Sequence, residues 1–534
     1  MRLHNILYKA AVALLLPLGG VGGGLLCSCT DWSDHYEDNG AAGSNTSLWE
    51  EIQSRPELSD FAKVLENTKV FRQHKKTAAS YAEVLDGGQS FTVIAPINGS
   101  FDVNGLLEQV KTNAGDSAVE HFFIKNHITR TPRSAIESTF RMLNDKKVTM
   151  TSKDIWGVPF KDTNIRSKNG ILHTVSQDLP YNKTIYETLT LNSEYSVVGE
   201  ALKKYNEDEF NENASVQIGL VEGVPVYADS VIIEYNKMMN AVGLLNAEDS
   251  TYHVAIPTNN GWKNAWDVAK TYFNFDPNMD KRDSLQHYWT TRALLDDAIF
   301  SRTVQASMTD SIRSKWYDKN HPEYHVFYKP FEKDGLFGKS FDNYVCSNGT
   351  LYLYNEWPFT PTQTYFRKIE LEGEYSWYII NQNNVSTMNT ISLNADSISR
   401  GAFLDIASSG SNNWTATFKI DNTLSGKYDI CVIVQPKTVT DPTNTKTKPT
   451  RFKATVNYLD ENGNAVSKDL GSFDASKNRT DTVVVAKDFY LPVSNYDQNN
   501  DKVSLTLQSN VTQKQVSSYD RRMYLDCIIF KPKE

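Results

Sequence analysis

Two stretches of the chain show the same change from a continuous apolar run to a helical pattern. Residues 91–96 read Phe-Thr-Val-Ile-Ala-Pro, and residues 252–257 read Tyr-His-Val-Ala-Ile-Pro. Because proline has no N–H to donate to a neighbouring strand, each run is predicted to be a buried strand that stops at Pro96 or Pro257. The pattern therefore predicts two similar strand-to-helix units.

A polar and an aromatic residue follow each strand at the same spacing. Asn98 and Asn259 lie two residues after the proline, and each is predicted to cap the next helix. Phe101 and Trp262 lie three residues further on, and their rings are predicted to pack back into the core. These residues are therefore predicted to stabilise the domain by capping and packing, and not to form a reactive site.

A second pair of motifs recurs in the same order. Residues 169–173 read Asn-Gly-Ile-Leu-His, and residues 348–352 read Asn-Gly-Thr-Leu-Tyr. Two unrelated motifs in the same order indicate two copies of one domain. Helical patterns that begin near Leu48 and Ile185 open the two copies, which places the first domain at 45–183 and the second at 184–365. The second copy is longer, and residues 223–233 are predicted to form an added hairpin or edge strand.

From residue 366 to the end, short segments alternate apolar and polar residues between Gly, Asn and Asp turns. Segments of this kind indicate an antiparallel β-sandwich at 366–534. The predicted strands are 414–420, 427–434, 451–458, 481–486, 502–507 and 523–530.

The first 28 residues have the pattern of an export signal, with Arg2 and Lys9 before an apolar run. The run ends at Leu-Cys-Ser-Cys, which resembles the bacterial lipoprotein box, and Cys29 fits the acylated position better than Cys27. Residues 29–44 are then an acidic flexible tether. A plain signal peptide or a transmembrane helix remains the alternative.

The net charge of −9 argues against a nucleic-acid partner, because such proteins concentrate lysine and arginine. The basic doublets are interpreted as ordinary solvated surface: Lys75-Lys76, Lys146-Lys147 and Arg521-Arg522. Of the three remaining cysteines, Cys346, Cys431 and Cys527, the last two are predicted to be buried thiols that face each other across the sandwich. Their spacing predicts no metal site.

Motifs for nucleophilic, metal-dependent or phosphate chemistry are not found in the sequence. Asp296 and Asp297 are adjacent on a predicted helix and point apart, so they do not form an acid/base pair. The sequence therefore predicts a non-enzymatic protein without a cofactor; a hydrolase with carboxylates from distant segments is left open.

Both copies resemble the fasciclin family, whose signatures correspond to residues 91–101 and 169–180 here. The resemblance implies two α+β domains of adhesive or ligand-binding type. His173 is the histidine of the closing signature; we expect it to hydrogen-bond inside its domain, with ligand contact as the alternative. Tyr352 replaces it in the second copy, which is therefore divergent. Residues 366–534 resemble the galactose-binding-like jelly rolls of many carbohydrate-binding modules.

The expected fold class is thus multidomain, with two fasciclin-like α+β domains followed by a β-sandwich, as in fasciclin-domain lipoproteins of Bacteroidetes type. The expected function is glycan or protein binding at the outer membrane, by a lipid-anchored and surface-exposed protein beside a polysaccharide transporter. The alternative is an adhesin that acts through the fasciclin domains. Three aromatic residues near polar loops are the predicted glycan contacts: Trp377, Tyr496 and Tyr519.

Overall fold

The structure is a computed structural model that describes residues 45–534, apart from residues 73–74, 211–215, 222–223, 230–231, 302–309, 319–322, 409 and 445. The predicted signal peptide, the lipidation site at Cys29 and the tether lie outside these residues. Within the described ranges, no helix is long and apolar enough to cross a membrane.

The chain forms two compact units. The described part of the first comprises residues 45–70, 76–138 and 149–179, and the second comprises 71–75, 139–148 and 180–534. The elements up to residue 179 are α1 (Leu48–Gln53), α2 (Ser59–Asn67), β1 (Lys69–Arg72), β2 (Lys75–Ser80), α3 (Tyr81–Asp86), β3 (Phe91–Pro96), α4 (Val103–Gln109), α5 (Asn113–Phe122), β4 (Ile128–Arg130), β5 (Ser138–Arg141), β6 (Lys147–Met150), β7 (Asp154–Ile155), β8 (Val158–Ser167) and β9 (Gly170–Val175).

The elements from residue 180 to Tyr354 form the second copy of the repeat. They are α6 (Ile185–Leu191), α7 (Ser196–Lys203), β10 (Asn206–Phe210), β11 (Val216–Val221), β12 (Val224–Asp229), β13 (Ile232–Asn236), α8 (Lys237–Val242), β14 (Tyr252–Pro257), α9 (Asn259–Tyr272), α10 (Arg282–Ala298), β15 (Ile299–Ser301), β16 (Ser311–Asp318), β17 (Glu323–Tyr328), β18 (Asp342–Cys346) and β19 (Gly349–Tyr354). An added hairpin is present in this copy, but its bounds differ from the predicted 223–233: β11 pairs antiparallel with β12, whereas β13 pairs with β10.

The remaining strands build the sandwich. They are β20 (Ile369–Glu372), β21 (Ile379–Asn383), β22 (Val385–Ser392), β23 (Ala402–Ser408), β24 (Thr415–Lys419), β25 (Gly426–Gln435), β26 (Thr450–Leu459), β27 (Ala465–Ala475), β28 (Asp481–Leu491), β29 (Ser504–Ser509) and β30 (Met523–Lys533).

The duplication predicted from the motifs is confirmed by strand register. In the first unit β3 lies parallel to β9 with Ile94 opposite His173, and in the second β14 lies parallel to β19 with Ala255 opposite Tyr352. Each parallel pair lies inside its sheet and not at an edge: β4 and β8 flank the pair β3-β9, and β15 and β18 flank the pair β14-β19. Strands β3 and β14 are buried along their whole length, as their continuous apolar runs predict.

A buried asparagine ties each central strand to its opening helix. The side chain of Asn169 accepts from the N–H of Leu48 and donates to the carbonyls of Leu85 and Gly87, each at 2.8 Å. Asn348 makes the corresponding bonds with the N–H of Ile185 (2.8 Å) and the carbonyls of Leu245 (2.7 Å) and Ala247 (3.2 Å). The closing motif therefore fixes its helix by the same polar contacts in both copies.

The predicted role of Asn98 and Asn259 as caps of the next helix is wrong. The caps of α4 and α9 are Asp102 and Thr258. Asn98 instead accepts from the N–H of Asp60, in the first turn of α2, at 2.9 Å and donates to the Pro56 carbonyl. In the second copy Asn259 makes the same contacts with the N–H of Val197 (3.0 Å) and the carbonyl of Ser193 (2.8 Å).

The aromatic residues after the two strands pack inward to different degrees. Trp262 is buried and lies edge-on to Trp357, as the sequence predicts. Phe101 is only half-buried, although its ring contacts that of Phe123 at 5.1 Å between centroids. The aromatic side chain after the strand is therefore more deeply buried in the second copy than in the first.

The two sheets of the sandwich run in the orders β22-β23-β30-β25-β28, with β20 also paired to β30, and β21-β24-β29-β26-β27. Both contribute to one core, in which Trp414 is fully buried. Phe273, Phe275 and Trp289 of the second copy pack into the same core. The division of the chain at residue 366 stays a prediction, but the segments on either side of it form a single unit.

The placement predicted for two cysteines is wrong. Cys431 and Cys527 lie on the neighbouring strands β25 and β30 of one sheet, and do not face each other across the sandwich. Both are buried free thiols, as is Cys346.

Candidate functional site

Three loops meet at one end of the sandwich. They connect β23 to β24, β25 to β26 and β29 to β30, and each passes from one sheet to the other. Between them lies an open groove of about 430 Å³. Its walls are formed by Ala407, Ser408, Gly410, Lys437, Asn444, Lys446, Thr447, Lys448, Val516, Tyr519, Asp520, Arg521 and Arg522.

The lining of this groove is basic, whereas the chain has a net charge of −9. Five cationic side chains and one carboxylate line it: Lys437, Lys446, Lys448, Arg521 and Arg522, with Asp520. Cationic groups that share a concave surface add their fields and attract anions. The groove therefore has the opposite sign from the protein as a whole.

Only part of this charge is compensated by neighbouring carboxylates. Arg522 makes a bidentate ion pair with the buried Asp405, and its backbone N–H donates to Asp520 at 2.8 Å. Arg521 donates to the backbone carbonyl of Val511 at 3.0 Å, and Lys448 donates to the carbonyl of Val516. Because carbonyls do not neutralise a cation, these contacts position the side chains and leave their charge available.

Lys437 has a buried amine without a hydrogen-bond partner among the described residues. Its Nζ lies 3.6 Å from the centroid of the Tyr524 ring and is shielded from solvent. Burial lowers the pKa of Lys437 to about 7, although the carboxylates of Asp520 and Asp405 act in the opposite direction. An unpaired amine of this kind is costly to bury unless a ligand supplies its partner.

Tyr519 is half-buried in the wall of the groove, where the sequence analysis predicted a glycan contact. The guanidinium of Arg451 lies over one face of its ring, 3.4 Å from the centroid, and Arg451 is held by Asp474 at 2.6 and 2.7 Å. This stack fixes the ring in place, which lowers the entropy cost of using it in binding.

The other two predicted aromatic contacts lie outside this groove. Trp377 is 60% exposed and stacks on Tyr375 with 4.4 Å between ring centroids, so it is accessible as expected. Tyr496, in contrast, is not a loop-exposed ring. It packs edge-on against Phe273 and Trp289 at the core, because the second copy covers this part of the sandwich.

A second and larger groove, of about 680 Å³, lies where α9 and α10 meet the sandwich. It contains Trp266 and the half-exposed Tyr490, but many of its polar groups are already engaged. Asn274, for example, donates to Pro492 and accepts from Arg282, while Gln286 donates to Lys270.

Asp296 and Asp297, the two carboxylates considered for catalysis, are both buried, and they have different partners. Asp296 pairs with Arg292, whereas Asp297 accepts from Ser314 at 2.7 Å and bonds to His325. Burial raises the pKa of both carboxyl groups to about 7. Neither carboxylate lines either of the two grooves. Both form part of a buried polar cluster within the second unit.

His173 takes the internal role that was expected of it. It is buried, its Nδ1 accepts from the N–H of Asn164 at 3.3 Å, and its Nε2 donates to the Arg133 carbonyl at 2.9 Å. Desolvation lowers the pKa of His173, although the Arg133 carbonyl favours the charged form. The ring is thus neutral and structural; a ligand contact stays untested.

The basic groove is not predicted from the sequence, because its residues come from separate loops. Arg521-Arg522 was read as solvated surface, and the lysines at 437, 446 and 448 were not connected with it. A usable signal was present, since residues 436–449 carry three lysines and only one acidic residue, Asp441. The reading of Lys146 was also wrong: it is 2% exposed and paired with Glu187 and Glu248.

Comparison with protein-family models and with curated proteins gives no match. Solved structures give partial likenesses. A Paenibacillus xanthan lyase matches at 14% identity and a TM-score of 0.21, over 35% of this chain and 16% of the lyase. A family 35 carbohydrate-binding module from Clostridium thermocellum matches at 11% identity and 0.19, over 31% and 98%. The FAS1 domain pair of insect fasciclin I matches at 10% identity and 0.18, over 51% and 90%. Likenesses this weak assign no function.

Proposed function

We propose that the protein is a non-enzymatic glycan-binding protein whose ligand site is the basic groove at the loop end of the sandwich. The observation that carries the proposal is the groove itself, an open concavity with a fixed tyrosine ring beside hydroxyl, amide and cationic groups. Sugar recognition needs this combination, because a ring face stacks on the sugar while polar groups bond its hydroxyls. The two fasciclin-like copies then serve as the scaffold that presents the groove.

The envelope location belongs to the same proposal. With acyl chains on Cys29, the protein is held at the outer membrane, and the groove can capture polysaccharide for a transporter. The basis for this step is the sequence pattern of residues 1–44.

Oligosaccharide binding by the full-length protein tests the function. We expect binding on a glycan array and a loss of about fivefold in affinity for Tyr519→Ala, since one ring contact contributes on the order of 1 kcal/mol. Tyr490→Ala, in the larger groove, is the matched control and should bind as the wild type does. If Tyr490→Ala loses affinity while Tyr519→Ala does not, the site is the other groove. If no glycan binds, the proposal fails.

Adhesion is the second candidate, and the edge strand β18 favours it. Val345 is 83% exposed on this strand, beside Tyr344 at 40%, and β18 ends the sheet of the second copy. Exposed apolar edges can pair with a strand of another chain. Cell aggregation that Val345→Lys abolishes, without any glycan binding, would replace the first candidate with adhesion.

A further inference from the structure

The charge of the basic groove restricts which glycans it can hold. A neutral sugar can offer the amine of Lys437 a hydroxyl oxygen but no counter-charge, and this amine makes no hydrogen bond to a described residue. A ligand that carries a carboxylate supplies the missing acceptor and the missing counter-charge at the same time. Such a ligand therefore offsets the cost of burying the charged amine better than a neutral sugar does.

We propose that the groove selects acidic glycans, and that the carboxylate of a uronic acid residue docks between Lys437 and Arg521 while the sugar ring lies against Tyr519. This inference rests on the proposed glycan-binding function and adds the chemical class of the ligand. Lys446 and Lys448, on the same loop as Lys437, extend the positive field along the groove toward further acidic residues of a polymer.

Docking of a carboxylate is coupled to protonation of Lys437. The groups that face its amine are the carboxylates of Asp520 and Asp405 and the guanidinium of Arg522, with the Tyr524 ring beneath it. The free amine has a pKa of about 7, so part of the population is uncharged at neutral pH. An anion that prefers the charged form takes up a proton on binding, and its affinity falls as the pH rises through that value.

The experiment is calorimetric titration of the full-length protein with uronate oligosaccharides from three sources: galacturonan, alginate and glucuronate-bearing xylan. Unsubstituted xylo- and galacto-oligosaccharides of the same length are the neutral controls. We expect at least one uronate to bind ten or more times as tightly as its neutral counterpart, with proton uptake seen as a dependence of the heat on the buffer. Affinity should fall roughly tenfold between pH 6 and pH 8.5.

Three variants separate Lys437 from the general field. Lys437→Met should lose the preference for uronates and the proton uptake. Lys437→Arg should keep the preference but lose the pH dependence, because a guanidinium stays charged. Lys446→Met, an exposed lysine of the same groove, should weaken binding but keep the pH dependence.

The outcomes distinguish this inference from the function on which it rests. If neutral oligosaccharides bind as tightly as every uronate, the inference fails and glycan binding stands. If no oligosaccharide of either kind binds, glycan binding itself fails. Tighter binding of a sulfated galactan than of any uronate would contradict the selection of carboxylates. Unchanged pH dependence in Lys437→Arg would contradict it as well.

Discussion

The buried asparagine of the closing motif gives the sharpest test of how the repeat folds. Asn169 is 4% exposed, and Asn169→Ala removes three hydrogen bonds of 2.8 Å. The N–H of Leu48 and the carbonyl of Leu85 are buried and lose their partner, whereas the carbonyl of Gly87 is partly exposed and can bind water. Each of these two buried groups costs about 1–3 kcal/mol when left unpaired, so we expect a loss of about 2–6 kcal/mol in the first unit.

Asn169→Asp sharpens the test because it keeps the shape of the side chain. The carboxylate can still accept from Leu48, but it places an oxygen where the amide donated to Leu85 and Gly87. Repulsion between these oxygens should make the aspartate as destabilising as alanine. A mere loss of packing volume predicts the opposite, since aspartate fills the same space.

Hydrogen exchange read by mass spectrometry is the measurement, because it reports each unit separately in the full chain. Protection of β3 and β9 should fall in both Asn169 variants. Asn348→Ala is the matched control, and its main effect should be on β14 and β19. A change below about 1 kcal/mol in β3 and β9 for both Asn169 variants would refute the reasoning.

Three further predictions concern Cys29, Asn98 and His127. Cys29→Ala should leave the protein in the aqueous phase of a detergent partition or as uncleaved precursor, whereas a wild-type protein found in the aqueous phase would contradict the lipid anchor. Asn98→Ala should destabilise the first unit by about 1 kcal/mol through the lost cap of α2; an unchanged urea midpoint would exclude this. His127 is fully buried, with its pKa lowered to about 4 by desolvation. Since the unfolded state takes up the proton first, the first unit should lose stability as the pH falls from 6.5 to 4, by at most about 3 kcal/mol. His127→Gln should flatten this dependence in urea titrations, and an unchanged slope would show that other groups cause it.

The fold could be predicted from the sequence wherever the pattern was local. The central strands, the duplication and the sandwich follow from apolar runs and recurring motifs, and the structure confirms them. The partner of Asn98 could not be predicted, because a side chain two residues after a strand can reach either the next helix or the preceding one. Only the tertiary position of α2 decides between them.

The burial of individual polar residues also could not be predicted from the sequence. Lys146 has the sequence surroundings of a surface lysine, yet Glu187 and Glu248 reach its amine from distant segments. Tyr496 lies in a loop rich in Asn and Asp, yet α10 contributes Trp289 against its ring. In both cases exposure depends on contacts between segments far apart in the chain, and no local pattern records those contacts.

The two cations of the proposed carboxylate site also could not be brought together from the local sequence. Lys437 and Arg521 belong to loops whose flanking strands, β25 and β30, are neighbours in one sheet. Each loop then crosses to the other sheet, where β26 and β29 are again neighbours. Strand pairing in both sheets therefore brings these two cations to the same end of the sandwich. The scaffold needs only the strands to keep their register, so loop residues can change without loss of the fold. In the proposed function, charge in these loops selects the glycan, while the strand register of the two sheets keeps the loops in place.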